Sequence, residues 1–346
     1  MGAMSTKAMR VFNRSLKRLQ RDAAATVRLN DGRDFDYLRD EVADRLVSRL
    51  DFINRKFGSA LDVGSFSGHV YRSLNEYKNV YEIEKLVQCD ISEKMLDLGK
   101  QRNGTAESPD AIATEYVQAD EEISLPFDSG SFDLAISSLN LHWVNDLPGA
   151  LKEINRCLRP DGVFVGSILG GETLKELRSS LLLAEQEREG GVSTHVSPMA
   201  HVGDIGQLMQ TAGFAIPTID TDIITIEYPD AFVLMEHLQG MGENNAVLTR
   251  REHVSRDTML AAASVYQSLY GNEDGSVPAT FQIIYMIGWS PDPSQPKADC
   301  RGSGKLSLKD IDGAKVRSET TTALANEKPL PPSGPLYTPT TLTEDD

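Results

Sequence analysis

The segment ALDVGSFSG at 60–68 constrains the fold of this chain most. An apolar run carries Asp62, and Gly64 and Gly68 follow just ahead of a helical pattern. Glycine in such a strand-to-helix loop lets backbone approach a ligand closely, and the helix that follows presents unpaired N–H groups. The neighbouring residues continue the alternation. Leu38, Val42, Leu46, Val47 and Leu50 recur at three- and four-residue spacing within 36–52, the pattern of an amphipathic helix. β-Rich runs at 60–63, within 80–90, and at 115–119, 132–137 and 162–168 are separated by helical stretches. A helix is expected at 147–158, stopped by the ArgProAspGly turn at 159–162. Strands alternating with helices predict an α/β, Rossmann-like fold, a mostly parallel sheet flanked by helices.

Beyond Gly171 the pattern turns to longer helices at 173–188 and 202–212, an extended run at 218–228, and helices at 231–240 and 256–270. The Ile-, Tyr- and Phe-dense stretch 281–289 reads as a late strand added to the sheet. The chain therefore divides into a basic helix within 1–35, a main domain at 36–290 with a helical insertion or cap at about 172–270, and a tail at 291–346. That tail holds eight of the 16 prolines and few large apolar groups, so it is expected to be largely disordered.

Charge narrows the function. The net charge is -16, which repels phosphate backbones, so nucleic acid is not an expected partner. Residues 1–30 run against this trend, with Lys7, Arg10, Arg14, Lys17, Arg18, Arg21 and Arg28 opposed by Asp22 alone. An Arg-rich, acid-poor helix reads equally as a mitochondrial presequence and as a surface helix for anionic lipid or an acidic partner. Cys89, Cys157 and Cys300 lie far apart without a CxxC pair, which argues against a disulfide framework or a structural zinc site and favours a reducing compartment. No run approaches the length of a membrane-spanning helix.

The spacing Asp62, Gly64, Gly68 resembles motif I of class I S-adenosylmethionine-dependent methyltransferases, DxGxGxG, and departs from it at the middle glycine, where Phe66 stands beside the expected methionine moiety. Further positions extend the resemblance. Asp90, at the end of the second strand, matches the acid that accepts hydrogen bonds from both ribose hydroxyls, as a carboxylate can. Met95 would lie near the adenine, and Asp120 would receive its amino group. LHWVNDLP at 141–148 resembles the malonyl-carrier-protein methyltransferases, with His142 and Trp143 facing the sulfonium side as candidate catalytic residues, a base and a cation-binding ring.

Phrases without a generic methyltransferase role narrow this further. VFNRSLKRLQRD at 11–22, GGETLKELR at 170–178, HLQGMGENNA at 237–246 and NEDGSVPATFQIIYMIGW at 272–289 resemble the methyltransferase-like arginine hydroxylase family of mitochondrial complex I assembly factors. The resemblance implies a matrix protein peripheral to the inner membrane, binding S-adenosylmethionine. It would work with other assembly factors on an iron-sulfur subunit of NADH:ubiquinone oxidoreductase, hydroxylating an arginine near the quinone site. Methyl transfer to a carboxyl or acyl-carrier substrate, and a non-catalytic assembly chaperone using the basic helix and 232–241 as contact surfaces, stand as alternatives. No metal site is expected; His195, His201 and Asp204 are the nearest candidates for one.

Overall fold

The computed structural model describes residues 10–31, 35–103, 111–251 and 253–297. Strands β1 (Ser59–Val63), β2 (Lys85–Asp90), β3 (Ala113–Gln118), β4 (Phe132–Ser138), β5 (Leu158–Leu169), β6 (Ala215–Tyr228) and β7 (Val277–Trp289) form one seven-stranded sheet ordered β3-β2-β1-β4-β5-β7-β6. The first five are parallel, while β7 runs antiparallel to both β5 and β6. This is the α/β, mostly parallel sheet that the alternation predicts.

Strand composition follows position. β1 and β2 are buried almost end to end, because a central parallel strand is covered on both faces. β6, at the edge, alternates buried or half-buried with exposed positions over most of its length. Helices α1 (Arg14–Asp31), α2 (Tyr37–Ser48), α3 (His69–Glu76), α4 (Lys78–Tyr81), α5 (Glu93–Asn103), α6 (Leu147–Cys157), α7 (Lys175–Glu189), α8 (Val202–Thr211), α9 (Ala231–Met241) and α10 (Arg256–Tyr270) surround it. Successive strand residues feed opposite cores, as the two-residue period requires. Ala60 and Leu134 pack with Val42, Leu46, Val70 and Leu74; Leu61 and Ala135 pack with Leu151, Ile154, Ile205 and Met209.

The helical additions complete these layers. Leu177 and Leu181 of α7, Leu234 and Leu238 of α9 and Tyr266 of α10 join the core that α2 covers, whereas α8 joins the other. The start of α9 is fixed by Asp230, whose carboxylate accepts from the amides of Phe232 and Val233. Asp230→Ala should lower stability by about 1 kcal/mol, measured as a shift in the urea midpoint without a change in slope.

The helix α6 stops at Cys157, as expected; β5 is assigned from Leu158, and residues 159–162 bulge out of its pairing with β4, with Asp161 at φ 61°. The basic N-terminal helix lays one face on the main domain and leaves the other, with Arg18, Leu19 and Leu29, exposed. Lys17 and Arg21 are fully buried and Arg28 nearly so, because buried carboxylates of the main domain pair with the guanidinium groups. The expected disorder of the tail concerns residues that lie, from 298 onward, outside those described. Among the described residues no helix is long and apolar enough to cross a membrane.

Candidate functional site

The strand order reverses between β1 and β4, and ligands of open α/β sheets sit at the carboxyl ends of the strands at such a point. Past the end of β1, Gly64 adopts φ +73° and its amide donates to the Cys89 carbonyl at 2.8 Å, tying the loop to β2. A Cβ on Gly64 would lie 2.0 Å from Cγ of Asn140, so glycine is required there both by conformation and by space. Gly68, at φ +84°, opens α3, and a Cβ there would meet the Asn103 amide nitrogen at 2.2 Å.

Phe66 holds the position of the motif's middle glycine, and its φ of +53° shows why glycine suits it. A left-handed L-residue is strained by about 1–2 kcal/mol. The buried ring is repaid by cations, with the Arg39 guanidinium 3.5 Å and the Arg21 guanidinium 4.8 Å from its centroid.

The three predicted acids occupy distinct electrostatic settings. Asp90 is fully buried; its Oδ1 accepts from the Ser92 amide at 2.8 Å, and its Oδ2 from the Phe66 amide at 3.2 Å and from Arg21 Nη1 at 2.9 Å. Asp62 is also fully buried, and neither carboxylate oxygen has a hydrogen-bond partner. Burial, then the neighbouring Asp90 charge, pushes its pKa well above the usual carboxylate range, which favours the protonated, neutral acid. Asp120, after β3, accepts from Arg14 Nη2 at 2.7 Å. Met95 is fully buried and packs with Phe66, Leu98 and two residues of α1, Ala24 and Ala25.

His142 and Trp143, expected to face a sulfonium, are both turned toward Glu243. His142 Nε2 lies 3.2 Å from Glu243 Oε2, and Trp143 Nε1 donates to the same oxygen at 2.8 Å. Arg39 pairs with the other oxygen, and Lys17 Nζ lies 3.3 Å from the centroid of the Trp143 ring. Burial pushes the Glu243 carboxyl upward, but Arg39, His142 and Lys17 outweigh it and hold the group well below the usual carboxylate range. Burial lowers His142, which is therefore neutral near pH 7, and its Nδ1 has no hydrogen-bond partner.

Beside Glu243 opens a cavity of about 380 Å³. Leu177, Leu181, Met235, Leu238 and Met259 form apolar walls, and Glu243 is the one carboxylate that lines it among the described residues. The sequence-predicted residues Asp62, Gly64, Gly68, Asp90 and Met95 thus gather around one loop. The sequence reading missed Arg21, Arg39, Asn140 and Glu243. Arg21 and Glu243 lie inside the phrases 11–22 and 237–246 that carried the family resemblance, which was the available signal. Of the metal candidates, His195 is engaged by Glu185 and Ser193, and no group of three or more His, Cys, Asp or Glu suited to a metal occurs among the described residues.

Residues 61–166 match the family "Methyltransferase domain". The chain is 49% identical over 307 residues to the mitochondrial arginine-hydroxylase NDUFAF5 of Danio rerio, covering 89% of this chain and 91% of that protein. It is likewise 49% identical over 310 residues to the protein of that name in Homo sapiens, covering 90% and 86%. Identity to a malonyl-[acyl-carrier protein] O-methyltransferase of Laribacter hongkongensis is 33% over 258 residues, covering 73% and 83%. A solved Bacillus halodurans protein described as a candidate methyltransferase shares the fold, with a TM-score of 0.50 at 17% identity, covering 71% of this chain and 99% of that one.

Proposed function

Since the chain belongs to the family of the mitochondrial arginine-hydroxylase NDUFAF5, we propose that it is a mitochondrial enzyme that hydroxylates an arginine of a protein client. The client is an iron-sulfur subunit of NADH:ubiquinone oxidoreductase, modified during assembly of that complex beside other assembly factors. The work is done in the matrix, peripheral to the inner membrane. The observation that carries this reading is identity of 44–49% to arginine-hydroxylases over about nine-tenths of the chain, including the segment 237–246 that borders the cavity.

The chemistry of the cavity supports it. An arginine side chain has an aliphatic stem and a cationic planar head; apolar walls accommodate the stem and a carboxylate suits the head. Leu177, Leu238 and Met259 offer the first, and Glu243 lines the same cavity together with its ion-pair partner Arg39. Glu243 is ionised at neutral pH, and Arg39, His142 and Trp143 fix its orientation. Packing around the stem excludes water from the side chain to be modified.

S-adenosylmethionine fits the residues around the loop after β1. Asp90 offers an acceptor-only group for a diol, and Asp62 beside it is a buried carboxyl group whose two oxygens have no hydrogen-bond partner. When bound, that ligand supplies a sulfonium with an electrophilic methyl group. The role of the chain's own residues is to hold its ribose and adenine at Asp90, Met95 and Asp120.

The client subunit should be isolated from mitochondria with and without this chain and its arginines analysed by mass spectrometry. One arginine should gain the mass of a single oxygen atom only where the chain is present; an arginine unmodified in both sinks the hydroxylase reading. Calorimetry with S-adenosylmethionine should give binding heat that Asp90→Ala abolishes.

A further inference from the structure

The residues assigned to the adenosine half of the cofactor are all engaged by α1. Arg21 Nη1 donates to Asp90 Oδ2 at 2.9 Å, and Arg21 Nη2 donates to Asn140 Oδ1 at 2.6 Å. Arg14 reaches Asp120 at 2.7 Å. Ala24 and Ala25 lie against Met95, and Asp22 accepts from the Ser92 hydroxyl at 2.5 Å. The helix thus satisfies the ribose acid, the adenine acid and the adenine-facing methionine at once.

We propose that α1 is an internal competitor of the cofactor: docked, it fills the adenosine seat, and the seat is freed for S-adenosylmethionine only when α1 withdraws from it. This rests on the S-adenosylmethionine reading of the preceding subsection and adds its regulation. Charge explains the exchange. Asp90 is fully buried, and a buried carboxylate needs a cation or hydrogen-bond donors. Arg21 supplies the cation when the ligand is absent, and a ribose diol would supply two donors to the same carboxylate when the ligand is bound. One partner replaces another, so the Asp90 carboxylate is satisfied in either state.

The same stretch of helix is also held by backbone outside the seat, Lys17 Nζ donating to the carbonyls of Gly242 and Asn244 and Gln20 to that of Asn245, so withdrawal of Arg14 and Arg21 breaks these bonds as well. These anchors touch none of the cofactor residues. α1 also keeps Leu19 and Leu29 more than half exposed, so one flank is not committed to the core.

The test uses the full chain and free S-adenosylmethionine. An apparent affinity is reduced by the fraction of molecules in the competent state, so removing the competing guanidinium raises it. Arg21→Ala should bind S-adenosylmethionine about tenfold or more tightly than the parent chain by calorimetry. In the parent chain, saturating ligand should speed tryptic cleavage after Arg18 and Arg21. Unchanged or weaker binding by Arg21→Ala, or slower cleavage of α1 with ligand, overturns the competition and makes α1 a cover that closes over the cofactor. No binding heat in either chain is the separate failure of the cofactor reading, and the competition falls with it. Circular dichroism of Arg21→Ala confirms that the compared chains are folded, and Arg14→Ala, further from the buried acids, should shift affinity in the same direction.

Discussion

Replacing Glu243 with glutamine should lower the free energy of unfolding by about 3–5 kcal/mol, the range for removing one partner of a buried ion pair. The carboxylate is 9% exposed and pairs with Arg39, whose side chain is 3% exposed. It also orients Trp143 and His142 through a single oxygen. Glutamine keeps the size and one acceptor but removes the charge, leaving Arg39 buried beside Lys17 and Arg21 without its closest anion. Burial draws Arg39 down to about 10 even with Glu243 beside it, so its surroundings already disfavour the charge that Glu243 offsets. The pH dependence carries a definite sign. Glu243 ionises well below its ordinary value of 4.5, so the native state favours the charged form. Its stabilisation is complete above pH 4.5 and is lost as pH falls through the lower folded-state value. Urea unfolding should therefore show the gap between parent and Glu243→Gln narrowing below that pH. A gap under about 1 kcal/mol at pH 7 would refute the cluster as a stabilising unit.

The sheet was legible because its signals are local. Continuous apolar runs such as 60–63 and 162–168 and the glycine spacing at Gly64 and Gly68 depend on neighbours within a few residues, and the structure has strands and tight turns there. Asp62 and Asp90, near the carboxyl ends of β1 and β2, followed from the same logic, since neighbouring parallel strands end side by side. Arg21 was not legible in the same way. Its partners Asp90 and Asn140 are 69 and 119 residues away, and no spacing rule reports a pair separated so far. Counting charge in residues 1–30 gave the right excess but not its partners within the chain. Glu121, Asp90 and Asp36 take up Arg14, Arg21 and Arg28.

The same distance explains His142 and Trp143. Their place after β4 was read correctly, but what they face is decided by Glu243, 101 and 100 residues further on. A sequence motif fixes where a side chain leaves the backbone, whereas its partner comes from the packing of α9 and α1 against that loop. The helical additions behave likewise: read as an insertion or cap, α7, α9 and α10 are part of the core that α2 covers.

Gly64→Ala should be nearly as damaging as Glu243→Gln, with a loss of about 2–5 kcal/mol, through two effects that can be separated. The first is conformational: at φ +73° an alanine meets the left-handed strain of about 1–2 kcal/mol. The second is collision. Its Cβ would lie 2.0 Å from Cγ and 2.5 Å from Cβ of Asn140, a side chain that cannot yield freely. Asn140 Oδ1 accepts from Arg21 at 2.6 Å and its Nδ2 donates to Glu121 at 3.1 Å. Displacing it leaves a buried guanidinium N–H without an acceptor, which costs about 1–3 kcal/mol. The double variant Gly64→Ala with Asn140→Ala has no collision, but it retains the backbone strain and the lost acceptor. Relative to the sum of the two single variants it should recover stability, a coupling detectable in a double-mutant cycle. Strict additivity of the two changes would mean that Asn140 does not constrain the loop, and glycine at this position would then be explained by backbone conformation alone.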